Sequence, residues 1–265
     1  MQFILKSHLF LGICVLCLTT QTYWLYSEYN LPLTPVLINF VATFCVYNLQ
    51  KLYDATLEGN ETQEKYNWYT RNRKLVLTLI VLSILLSFNS IYVFLTENVN
   101  YFWCYLGTGV ATSLYYLKPF RLKQYGWYKP FHISFIFVIS CIIIPIHSKL
   151  SIDNIWYIIS QFILVFCLSV LYDYKDISQD LQSKLQTYAV RLKPHYFKLL
   201  VLVSSLAFIV TSYMVVTSIF FSSFITGIYL IGLLYFLNEK RNYIYYLLLI
   251  DGALILQCTL TILFS

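Results

Sequence analysis

The sequence predicts an all-α, polytopic membrane protein with about nine transmembrane helices around a central cavity, and three observations carry that expectation. Of 265 residues, 59% are apolar and 11% charged, against about 25% charged residues in an ordinary soluble domain. Mean hydropathy is +0.67. Apolar runs recur along the whole chain, and each is long enough to matter. A hydrocarbon core of about 30 Å takes about 20 apolar residues to cross, because a backbone in lipid must satisfy its own hydrogen bonds within a helix. Residues 1–265 therefore read as a single transmembrane domain.

The first span is expected at 8–26. Lys6 ahead of it suggests a signal peptide, but no small-residue cleavage pattern follows before Tyr23 and Trp24. The second covers 34–53, the third 75–95 and the fourth 99–117, where Gly107, Gly109 and Ala111 form a small-residue stripe suited to close helix packing. The fifth, 131–148, has His132 and His147 at opposite ends, sharing no face with the acidic residues and given no role. The sixth is 154–172. Residues 198–237 would overshoot a bilayer twofold as one helix, so they divide at Thr217-Ser218 into 198–217 and 219–237. The ninth, 243–263, carries Asp251 near mid-membrane. The seven cysteines all fall inside apolar runs and are odd in number, which excludes a disulfide framework. Cys14 and Cys17 have no second Cys or His pair beside them and read as inert buried thiols.

The basic residues orient this arrangement. Of 18 Lys and Arg, only Lys149 lies on one side; Lys6, the loops 51–74, 118–129 and 175–198, and Lys240 with Arg241 fall on the other. The positive-inside rule then puts the N-terminus in the cytoplasm, in an inner membrane of bacterial type. The net charge of +6 is spread over short loops. That argues against nucleic acid and for anionic lipid or an anionic substrate.

Three segments on this side could carry chemistry. Asp173, Asp176 and Asp180, at the end of span six, are spaced i, i+3 and i+7 and would share one face of a continuing helix. Three carboxylates on one stripe repel, unless a cation gathers them; hard oxygen ligands suit Mg²⁺, which takes one or two carboxylates and completes its shell with water and phosphate. A solvated acidic helix end, with Lys175 and Lys184 as surface neighbours, is the competing reading. After span four come Lys118, Arg121 and Lys123, interrupted by Pro119, able to grip phosphate oxygens or to serve only the positive-inside rule. The end of span two carries Asn48, Lys51, Asp54, Glu58 and Glu61, which fit a salt-bridged loop equally well. Tyr47-Asn48 and Tyr172-Asp173 are alike and suggest two related halves around one cavity.

In these residues the chain resembles the UbiA superfamily of intramembrane prenyltransferases. The stretch Asp173-x-x-Asp176-x-x-x-Asp180, followed by Thr187 and Arg191-Leu192, looks like the family's second aspartate motif, and 115–123 like its basic loop. The first motif is degenerate: Asn48 remains, but Leu49, Leu52 and Thr56 stand where aspartates are usual. The resemblance implies transfer of a polyprenyl group from its diphosphate to an acceptor, such as an aromatic acid, quinone precursor, tetrapyrrole or lipid. Asp173, Asp176 and Asp180 would then be the catalytic Mg²⁺ ligands, and Asn48, Lys118, Arg121, Lys123 and Lys184 would bind the diphosphate. Two other classes remain open, a non-catalytic lipid-binding relative and a secondary transporter using Asp251.

Overall fold

A computed structural model of the chain describes residues 7–26, 33–57, 64–97, 99–117, 122–147, 151, 154–182, 184–215, 217–237 and 246–265. Every regular element among them is helical. The long helices are α1 (Leu9–Tyr26), α2 (Leu33–Leu57), α4 (Arg73–Glu97), α5 (Val99–Tyr116), α7 (Ile155–Asp173), α10 (Pro194–Tyr213) and α11 (Thr217–Leu233). Two more contain a π-helical turn: α6 runs from Lys129 through the turn Ile139–Ile143 to Ile146, and α12 (Gly252–Phe264) continues the turn Leu247–Asp251. Short helices α3 (Glu64–Arg71), α8 (Ile177–Gln182) and α9 (Tyr188–Arg191) lie between them.

Apolar composition forms these helices, and their ends follow local chemistry. Pro130 and Pro194 occupy the first turns of α6 and α10, where a missing N–H leaves no helical bond unmade. Many serine and threonine hydroxyls inside the bundle bond back one turn, as Thr19 does to the Val15 carbonyl and Ser205 to that of Val201, so these cross the apolar interior satisfied. All seven cysteines are free thiols.

Among the described residues, eight helices are long and apolar enough to span a membrane, and the chain is an integral membrane protein. The fourth expected span, 99–117, which α5 forms, is not among the eight, although it runs the length of α6. Tyr101 packs on His147 at one end of α6 and Tyr115 stacks on His132 at the other. Its composition explains the difference. Trp103, Leu106, Val110 and Leu114 make an exposed apolar stripe, whereas Tyr105, Thr108, Thr112, Tyr115 and Tyr116 face a cavity inside the protein.

Each long helix packs on the next in the order α1, α2, α4, α5, α6, α7, α10, α11, α12, and α12 returns to α1, closing a ring. One core joins α7, α10, α11 and α12 around Leu164, Phe197, Val201 and Phe208; a second joins α1, α6 and α7 around Leu18, Ile142 and Tyr157; a third joins α2, α3 and α4. Asn39 on α2 ties the first two helices to the π turn of α6, donating to Thr19 Oγ1 at 3.1 Å and to the Ser140 carbonyl at 2.9 Å.

Candidate functional site

The α5 side of the ring holds a cavity of about 200 Å³. Ala42, Val46 and Tyr47 of α2, the tyrosine and threonine stripe of α5, and His132, Ile136 and Phe137 of α6 line it. The lining is apolar and aromatic along most of its depth. Charge gathers at one end.

At that end Lys129, at the start of α6, forms an ion pair with Asp173 Oδ1, at the end of α7. The Asp173 side chain has no exposed surface, while Lys129 keeps 25% of its own. Lys129 is therefore part-buried beside a fully buried partner. Tyr115 lies within electrostatic range of Lys129, Asp173 and Asp180, and Tyr47 within range of Lys129 and Asp251. Both tyrosines also line the cavity. The ionic cluster and the apolar chamber are therefore contiguous.

After Asp173 the helix tightens into a 3₁₀ turn, Tyr174–Asp176, before α8 resumes. Lys175 reaches Asp176 Oδ2 at 2.7 Å and lies 4.1 Å from the centre of the Tyr172 ring. Its side chain is 4% exposed, so Lys175 is a buried member of the cluster and not the expected surface neighbour. Asp180 accepts a hydrogen bond from Thr187 Oγ1 at 3.1 Å. Each aspartate thus has its own partner, and among the described residues no three His, Cys, Asp or Glu side chains converge as a preformed metal cage.

A close approach of backbones holds this region together. A Cβ on Gly126 would stand 2.7 Å from the Thr187 nitrogen, so only glycine lets the segment before α6 press against the segment after α8. At the end of α8, Lys184 takes a left-handed conformation, φ 55°. Its N–H bonds the Leu181 carbonyl and that of Leu185 bonds the Asp180 carbonyl, which is a Schellman motif with lysine in the place glycine usually holds. The Lys184 side chain is exposed.

The other expected residues divide. Asn48 is fully buried, and its amide donates to the carbonyls of Ser7 and Phe44, each at 2.7 Å, while Tyr69 donates to its Oδ1 at 3.4 Å. Lys118 and Arg121 lie outside the described residues, as do Glu58 and Glu61, and Lys123 falls in the turn Leu122–Gln124. Asp251, expected near mid-membrane, is buried in the π-helical turn Leu247–Asp251 and lies within electrostatic range of Lys175. His132, given no role, lines the cavity, stacks on Tyr115 at 4.6 Å and has a buried Nε2 with no hydrogen-bond partner among the described residues. The glycine stripe is no packing seam either, since a Cβ on Gly107 or Gly109 would meet nothing. Lys129 is the residue the sequence left unmarked. Its one local signal is its place directly before Pro130 at a helix start.

Compared with family models, curated proteins and solved structures, the chain gives no match.

Proposed function

We propose that the chain is an intramembrane prenyltransferase of UbiA type, with the diphosphate of its donor at the charged end of the cavity and the polyprenyl tail in the apolar chamber. The observation that carries this reading is the contiguity of the two: Lys129, Asp173, Lys175 and Asp176 at one end of a chamber lined by Tyr47, Tyr105, Tyr115, Tyr116 and Phe137. An anion with a long apolar tail matches both parts. Transfer would break the allylic C–O bond with its electron pair leaving on pyrophosphate. The acceptor would bond to the freed carbon and lose a proton. Developing positive charge on that carbon would meet tyrosine ring faces in a largely apolar chamber.

Magnesium suits this site as an ion arriving with the diphosphate, because Mg²⁺ is usually held by one or two carboxylates together with substrate phosphate. Asp176 and Asp180, at the turn beyond the buried Asp173–Lys129 pair, would hold it. Once bound, the ion would offset the charge that develops on the leaving group. Asp173 would act toward Lys129, and Thr187 would orient Asp180. The proposed orientation has the N-terminus and this charged end in the cytoplasm of a bacterial inner membrane, with α5 as a ninth crossing.

A second reading, a lipid-binding relative without catalysis, draws support from the ion pairs that already satisfy Asp173 and Asp176. Purified protein supplied with farnesyl diphosphate, Mg²⁺ and an acceptor-containing membrane extract separates the two. The enzyme releases pyrophosphate and an Asp176→Asn variant loses most of that release. Binding without release supports the lipid binder and overturns the enzyme.

A further inference from the structure

We infer that Lys129 is the fixed ammonium that receives the donor's diphosphate, and that Asp173 serves to hold it in place, so that at this position a side chain carries the charge a metal ion would otherwise bring. The inference rests on the proposed function and deepens it. It starts from the charges available at the mouth of the chamber. Among the described residues of α2, Asp54 is the one acid, and the helix presents Asn48, Leu49 and Leu52 before it. Such a helix gathers no divalent ion by itself, because hard cations need several oxygen ligands. Positive charge on that side of the chamber has to come from the protein.

Lys129 is placed to supply it. Its partner Asp173 lies 44 residues away on another helix, so the pair is a tertiary contact and not a neighbour effect within one loop. One of the three ammonium donors goes to Asp173 Oδ1, leaving two for another acceptor. A quarter of the side chain stays accessible, and Tyr47 and Tyr115, which line the chamber, lie within electrostatic range of the ammonium. Asp173 Oδ2 is buried with no hydrogen-bond partner among the described residues. A fully buried carboxylate used half for lysine is the arrangement of a positioning group. Burying this pair for stability alone would be a poor bargain, since well-packed apolar residues hold a fold at least as well. A ligand anion that completes the lysine's hydrogen bonds gives the pair a purpose.

The test is thermal stabilisation of the full chain in detergent by farnesyl diphosphate, by farnesol and by inorganic pyrophosphate, each with Mg²⁺ and with EDTA. Wild type is expected to bind farnesyl diphosphate in both conditions. Lys129→Met should weaken that binding by at least about tenfold and leave farnesol binding within about twofold. Lys129→Arg should restore most of the loss, and Asp173→Asn should weaken the diphosphate alone. If Lys129→Met does not fold, the Lys129→Met/Asp173→Asn pair, which leaves no buried charge unpartnered, takes its place. Diphosphate affinity unchanged in the variant, equal losses for farnesol and diphosphate, or wild-type binding that vanishes in EDTA would each overturn the inference. Those results leave the prenyltransferase reading standing if Mg²⁺-dependent binding and pyrophosphate release persist. Lys129-dependent binding without pyrophosphate release removes the enzyme and keeps the inference.

Discussion

Lys129 and Asp173 join the first turn of α6 to the last turn of α7 at the charged end of the chamber, with the carboxylate wholly buried. Removing either partner leaves the other charge without compensation, which typically costs about 3–5 kcal/mol. Asp173→Leu and Lys129→Met are each expected to lower the melting temperature strongly, and the double variant to lose less than the sum. A double-mutant cycle followed by tryptophan fluorescence during heating measures the coupling; additive losses would mean that the pair carries no interaction energy.

Lys184 sits at a left-handed position that costs a non-glycine residue about 1–2 kcal/mol. Lys184→Gly should therefore raise the melting temperature, by about 2–4 °C for each kcal/mol gained. The same variant tests the expected contact with diphosphate. An exposed side chain that touches no ligand predicts unchanged affinity for farnesyl diphosphate, and a clear loss assigns Lys184 to the binding site.

The chamber should set the length of tail it accepts. Thr112 on α5 and Ala42 on α2 both line it, and a phenyl ring at either position would fill much of its roughly 200 Å³. Thr112→Phe is expected to weaken binding of geranylgeranyl diphosphate more than that of dimethylallyl diphosphate, with inorganic pyrophosphate unaffected. Parallel titrations of the three ligands read the discrimination. Equal effects on all three would place the tail elsewhere.

Asn48 has its amide committed within the protein, two bonds from nitrogen and one to oxygen. Asn48→Ala should cost about 1–3 kcal/mol in stability through the Ser7 carbonyl left buried. Diphosphate affinity of the folded fraction is expected to stay within about twofold of wild type. A selective loss of affinity with the melting temperature unchanged would return Asn48 to the set of ligand contacts.

Much of the architecture was legible because lipid imposes a simple rule on sequence: apolar runs of sufficient length become helices. That rule locates the eight apolar spans. It could not weigh α5, whose tyrosines and threonines look like weak hydrophobicity until the cavity they line is seen. It also read the acidic stripe as one continuous face, because periodicity carries no warning of the 3₁₀ turn at Tyr174–Asp176 or of a partner waiting on α6. Lys129 passed as one more basic loop residue, since the positive-inside rule explains any lysine at that end. His132 was judged against the helical face of α7, yet faces on different helices are related only by packing. The Schellman position of Lys184 is invisible for a similar reason: a non-glycine residue gives no local signal of a left-handed turn.

The two-sided character of α5 has a consequence for how the protein enters the bilayer. Offered to lipid alone, this helix would expose Tyr105, Thr108, Thr112 and Tyr116 to hydrocarbon, while only the Trp103, Leu106, Val110 and Leu114 side would be at home there. Partitioning of α5 is therefore tied to the arrival of a helix that shelters its hydroxyls, and α6 is the next to emerge during synthesis. If α5 is the proposed ninth crossing, it is expected to insert together with α6 as a helical hairpin.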